Sequence, residues 1–154
     1  MKKIYLVGLI FFLVDLISKI IIINIDKYPI VIIDNFFCLD KVFNKGAAFS
    51  MFTGYGFLLI LVTIGVIFYI NKYIIKDIKT NFGEFSIGML LGGVFGNLFD
   101  RVFYGEVIDF LSFNIFGYSF PIFNLADTFI CISVGLLIIE FIRGDLSGNS
   151  VKGK

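Results

Sequence analysis

No histidine occurs anywhere in this 154-residue sequence. That absence excludes a Ser-His-Asp triad, a Cys-His pair and the HExxH zinc sites, all of which need an imidazole. Tryptophan is missing too, so any aromatic belt at a membrane surface falls to Tyr5, Tyr28, Tyr55, Tyr69, Tyr73, Tyr104 and Tyr118. Cysteine is limited to Cys38 and Cys131, which form no disulfide framework. Cys131 stands in an apolar segment and reads as a small buried hydrophobe. Charge is scarce: 16% of residues are charged and the net charge is +1. No basic patch interleaves with aromatics, so nucleic acid is not an expected partner.

Apolar residues are abundant instead, at 58% of the chain with a mean hydropathy of +0.97. A soluble domain of this size cannot bury that much, because a large share of its surface always faces water. Lipid is the natural solvent. The longest charge-free run covers 26 residues from Gly46 to Asn71, and about 20 helical residues cross a hydrocarbon core. The sequence therefore predicts an α-helical integral membrane protein with four transmembrane helices, at about residues 4–25, 54–75, 82–99 and 123–142. No repeats or linkers divide residues 1–154, which read as one domain. The N-terminus resembles a secretory signal, but Asp15 and Lys19 interrupt its apolar core and no small-x-small cleavage site follows. It reads as a retained first helix. In the third segment Gly88, Gly92, Gly93 and Gly96 predict close approach of neighbouring helices. The polar tail 144–154 is expected to be disordered.

Lys and Arg orient the bundle. Lys2, Lys3, Lys72, Lys76, Lys79, Arg143, Lys152 and Lys154 fall on one side, against Lys27, Lys41, Lys45 and Arg101 on the other. The positive-inside rule then places both termini in the cytoplasm and loops 26–53 and 100–122 outside. Within the first outer loop, Ile30–Ile33 and Phe36–Leu39 are β-prone runs separated by a turn-like Asp34-Asn35.

Charged groups at membrane depth are costly and mark functional sites by default. Asp15 and Lys19 stand at i and i+4 and share a helix face, which also suits a structural ion pair. Asn44 and Gly46, with the following Ala47 and Ala48, leave room for a backbone to approach a ligand beside an amide; a helix entry built of small residues explains them equally well. Asn97, Asp100 and Arg101 close the third segment within about one turn. Asp109 lies between Ile108 and Phe110, and Asp127 follows Phe123-Asn124-Leu125-Ala126. A carboxylate near a helix start often only caps it. Two such acids in apolar surroundings, both mapping to the outer side, point to chemistry. Like charges brought close cannot both ionise, so one proton is shared and the two pKa values separate. The ionised partner then activates water and the protonated one assists a carbonyl and its leaving amine. No metal or other cofactor is expected.

Five motifs carry a family likeness: Asp15-x-x-Ser18-Lys19; Asn44-x-Gly46-Ala47-Ala48-Phe49-Ser50; Gly92-Gly93-x-x-Gly96-Asn97-x-x-Asp100-Arg101; Val107-x-Asp109-Phe110; and Phe123-Asn124-x-Ala126-Asp127. Together, in this order and over nearly the whole chain, they resemble bacterial lipoprotein signal peptidase (signal peptidase II). The resemblance implies an aspartic endopeptidase of the bacterial inner membrane that cuts prolipoproteins before a diacylglyceryl-modified cysteine. It implies Asp109 and Asp127 as the catalytic pair, supported by Asn44, Gly46, Asn97, Arg101 and Asn124, with Asp15 and Lys19 bracing the first helix. It also implies a small extracytoplasmic β-rich cradle, a short surface helix in the first outer loop, contact with membrane lipid, sensitivity to globomycin, and a monomer. The main rival is a proton-coupled transporter or channel subunit, for which carboxylates spread through the bilayer depth and an internal repeat would be expected. Presenilin-type proteases use a Gly-x-Gly-Asp signature, whereas Asp109 follows Glu106-Val107-Ile108.

Overall fold

The computed structural model describes residues 2–46 and 54–143. Four helices among them are long and apolar enough to cross a membrane. These are α1 (Lys2–Ile23), the span Gly56–Asp77 that opens with α2 (Gly56–Tyr69), α3 (Asn81–Phe103) and α4 (Leu125–Ile142). Helix α2 continues through a π turn over Ile70–Ile74 and a tighter 3-10 turn over Ile75–Asp77. The connections between α1 and α2 and between α3 and α4 form an antiparallel sheet, with β1 (Ile30–Ile33), β2 (Phe37–Asn44), β3 (Val107–Ile115) and β4 (Tyr118–Ser119) in that spatial order.

Helix α3 is the centre of the bundle, packed against α1 on one side and α4 on the other. Its glycines explain how. A Cβ on Gly92 would come within 2.6 Å of the Phe11 Cβ and 2.7 Å of the Gly8 carbonyl, both on α1. One on Gly93 would meet the Ala126 carbonyl of α4 at 2.5 Å. Lipid tails are as apolar as leucine, so helix association in a membrane rests on close packing and polar contacts rather than on hydrophobic burial. The exposure pattern agrees: α2 buries none of its residues, and α1 turns Leu6, Leu9, Ile10 and Ile17 outward while hiding Asp15 and Lys19.

The two β-prone runs of the first outer loop are β1 and β2, turning at Asn35, whose φ of 56° lies in the left-handed region that asparagine tolerates. Strand β2 pairs with β3, setting Val42 opposite Asp109 and Asn44 opposite Val107. Phe37, Phe113 and Phe123 stack in sequence across the sheet, with centroids 4.5 and 5.7 Å apart. No helix occurs among the described residues of the first outer loop; the expected surface helix has no counterpart there, and residues 47–53 lie outside the described set, as does the tail 144–154.

Two expectations need correction. Helix α3 runs on to Phe103 rather than ending near residue 99, so Asp100 and Arg101 belong to a helix and not to the outer loop. No breaker precedes Gly105 (φ 78°), Asp100 is held by an ion pair, and a cation in the last turn suits the helix dipole. The second outer loop contributes β3 and β4 to the sheet. Cys131 is also exposed on α4 rather than buried, because in a lipid solvent an apolar residue has no need of the protein interior.

Candidate functional site

Asp109 arrives on a strand. Residues 107–110 are apolar and β-branched or aromatic apart from the aspartate, and successive side chains on a strand point to opposite faces. Ile108 and Phe110 therefore enter an apolar cluster with Ile22, while Val107 and Asp109 line a cavity of about 560 Å³. Asp127 reaches the same cavity from the first turn of α4. Its capping role is real: Asn124 is the N-cap, its Oδ1 accepts from Asp127 N–H at 2.9 Å, and the Asp127 carboxylate accepts from Asn124 N–H at 3.4 Å. Capping is thus what aims this carboxylate into the cavity.

The two carboxyl groups meet across a ring of amides. Asn124 Nδ2 donates to Asp109 Oδ1 at 2.7 Å, and Asn44 Nδ2 donates to Asp109 Oδ2 at 2.9 Å. Asn97 Nδ2 donates to Asp127 Oδ1 at 2.7 Å. Asp109 is 3% exposed, and burial pushes its carboxyl above the usual aspartate range to about 6. The donor from Asn44 opposes the rise, the nearby Asp127 charge adds to it, and Asn124 and Lys19 oppose it. Arg101 lines the cavity and spans it to the first outer loop, donating to the Gly46 carbonyl at 3.0 Å and to the Asn97 carbonyl at 3.2 Å. A second groove, of about 440 Å³ between α1 and α3, is lined by residues such as Leu9, Phe95 and Phe99 and carries no carboxylate.

A carboxylate pair at one cavity, with Asp109 buried, in a histidine-free membrane bundle narrows the comparison to few protein classes. The family model for signal peptidase (SPase) II matches residues 7–143. The chain belongs to the signal peptidase II family. It is 34% identical to a lipoprotein signal peptidase of Halalkalibacterium halodurans, over 96% of this chain and 97% of that protein. Two solved structures of bacterial membrane enzymes superpose on it. The first gives a TM-score of 0.87 at 33% identity, covering 100% of this chain and 95% of the other. The second gives 0.82 at 34% identity, covering 93% and 94%. This signal peptidase is accordingly a bacterial multi-pass membrane protein and an aspartic-type peptidase.

Every site residue singled out in the sequence and falling within the described residues lies in one connected region of this signal peptidase. Asn44, Asn97, Arg101, Asp109 and Asp127 line the cavity, Asn124 links the two aspartates from beneath, and Gly46 is fixed by Asn44 and Arg101. Asp15 and Lys19 do form their ion pair, at 2.7 Å. Ala47, Ala48, Phe49 and Ser50 lie outside the described residues. One participant had no assigned role: Asp100, 1% exposed, is a second carboxylate on Lys19 at 2.8 Å. Its i, i+3 spacing from Asn97 puts both on one face of α3, and that spacing is the signal from which it could have been found. Among the described residues no group of three His, Cys, Asp or Glu side chains is placed to hold a metal.

Proposed function

We propose that Asp109 and Asp127 form the catalytic pair of this signal peptidase, which removes signal peptides from lipoprotein precursors. The observation that carries the reading is the convergence of both carboxyl groups on a single cavity and on Asn124, whose side-chain amide donates to Asp109 and whose backbone N–H donates to Asp127. The ionised member of the pair takes a proton from water as the hydroxyl oxygen bonds to the scissile carbonyl carbon. The protonated member hydrogen-bonds the carbonyl oxygen as it gains negative charge. Collapse of the tetrahedral species breaks the C–N bond, a carboxyl proton passes to the leaving amine, and the pair again holds one proton.

The substrate in this reading is a precursor whose cysteine already carries diacylglycerol. Acyl chains hold that cysteine at the bilayer interface, so the preceding peptide bond arrives at a fixed depth and little peptide recognition is needed. An apolar cavity wall that includes Phe120, Ile122, Phe123 and Ile132 suits such a ligand. Termini in the cytoplasm, a site near the outer face, a single domain over 1–154, a monomer and inhibition by globomycin complete the reading.

Asp109→Asn and Asp127→Asn are expected to lower cleavage of a diacylated precursor by roughly 10³-fold or more while leaving an inserted protein. The wild-type protein should leave the non-lipidated form of the same precursor uncut. Cleavage retained in either variant removes that residue from the pair, and equal cleavage of both precursors removes the lipid requirement.

A further inference from the structure

An asparagine amide presents either a donor or an acceptor to its neighbours, and groups that can only donate settle which. Asn44 is settled by the Gly46 N–H, which donates to its Oδ1 at 2.9 Å, and Asn124 by the Asp127 N–H at 2.9 Å. Both donors are backbone groups left free by a turn or by a helix start. Asn97 has no such help. It lies well inside α3, where backbone N–H groups are consumed by the helix itself. Its Oδ1 is claimed instead by Lys19 Nζ at 3.3 Å, with Asn124 Nδ2 at 3.1 Å pointing the same way. The Asn97 Nδ2 is thereby turned to Asp127.

Lys19 is 1% exposed and its ammonium has three N–H groups. Three acceptors receive them: Asp15 at 2.7 Å, Asp100 at 2.8 Å and Asn97. The two carboxylates reach further. Asp15 Oδ1 accepts the backbone N–H of Ala126 at 2.8 Å, and Asp100 Oδ2 accepts that of Ile108 at 3.2 Å. Ala126 immediately precedes Asp127 and Ile108 immediately precedes Asp109. One ammonium therefore grips the backbone beside each aspartate, through two carboxylates on different helices, and orients an amide that contacts one of them.

We propose that Lys19 is a positioning residue of the peptidase, whose ammonium gathers Asp15, Asp100 and Asn97 and so fixes the spacing and donor pattern of the aspartate pair. The inference rests on the assignment of Asp109 and Asp127 as that pair. It gives Lys19 a larger part than bracing α1, which Asp15 alone would satisfy. The charged and titratable groups around this point are Asp15 on α1, Asp100 and Arg101 on α3, Asp109 on β3 and Asp127 on α4.

The test measures kcat, KM and the pH profile on a diacylated precursor for Lys19→Met, Asn97→Ala and the double variant. Lys19→Met should lower kcat by roughly 10²-fold with KM near the wild-type value. The alkaline limb of its profile should move to higher pH, because a cation that favoured ionised Asp109 is gone. In the Asn97→Ala background the same substitution should cost less than in the wild type, since part of its route runs through Asn97. A folded Lys19→Met protein with wild-type kcat and pH limb overturns the inference, as does an equal fold-change in both backgrounds. Should Lys19→Met fail to accumulate in membranes, Lys19→Met/Asp100→Asn, which removes one orphaned carboxylate, carries the same comparison against Asp100→Asn. Inactive Asp109→Asn and Asp127→Asn beside a wild-type kcat in Lys19→Met would sink this inference alone and leave the catalytic pair standing.

Discussion

At the scale of the residue, Asp109 is where environment has the clearest chemical effect. Its carboxyl is raised to about 6 by burial, and the Asn44 and Asn124 donors limit that rise. If the pair works with one shared proton, activity must fail once that proton is lost. Asp109 is the member raised to about 6, so kcat/KM should fall as pH rises through about 6. Removing a donor to the ionised form raises the pKa further, so Asn44→Ala should shift this alkaline limb to higher pH. A profile measured on a diacylated precursor checks both statements, and an unmoved limb in Asn44→Ala would show that this amide does not tune the pair. Asp127 shows that a structural and a chemical reading need not compete. The capping box with Asn124 is present, and it is the device that points the carboxylate at the cavity.

The helices and strands place these residues by two different means. Helix α3 comes close to both neighbours because it lacks side chains where they touch it. Gly92→Ala would set a Cβ 2.7 Å from the Gly8 carbonyl and 3.0 Å from the Phe12 backbone nitrogen, and backbone cannot step aside as a side-chain tip can. The expected loss is about 1–3 kcal/mol of stability, read as a lower Tm in detergent. Gly65→Ala on α2 serves as the contrast, since nothing lies within 4 Å of its Cβ; its Tm should be unchanged or slightly raised by better helix propensity. Strand β3 works through alternation instead, burying Ile108 and Phe110 so that Asp109 must face the other way. At the far end of the bundle Glu140 of α4, 2% exposed, accepts a hydrogen bond from the Thr80 hydroxyl that caps α3. That contact ties the end of one helix to the start of another.

For the whole molecule, the proposed orientation rests on the distribution of Lys and Arg, and with it the proposal that the site lies near the outer face. With Cys38 and Cys131 replaced by serine, Asp34→Cys in the β1–β2 turn should react with a membrane-impermeant maleimide added to intact cells. Lys79→Cys, between the π and 3-10 turns and α3, should react only after the membrane is opened. The reverse pattern would invert the bundle and move the site to the cytoplasmic side.

Much of this was legible in the chain itself. The four spans follow from runs of apolar residues, because a bilayer asks only for length and hydropathy. The aspartates stood out because charge is rare here, and a carboxylate between Ile108 and Phe110 has no cheap explanation. The turn at Asp34-Asn35 and the glycines of α3 were also readable, each from local backbone or packing rules. Three things were not. The strand carrying Asp109 gives an apolar run that periodicity cannot separate from loop or helix. The second carboxylate on Lys19 comes from another helix, 81 residues away from the ammonium it binds. The meeting of Asp109 and Asp127 on Asn124 depends on β3 and α4 closing over one cavity. Composition and spacing are properties of neighbours along the chain, and they determined the solvent, the spans and the candidate acids. Which amide faces which oxygen is set by groups that touch only once the helices have packed, and the tertiary structure alone decided it.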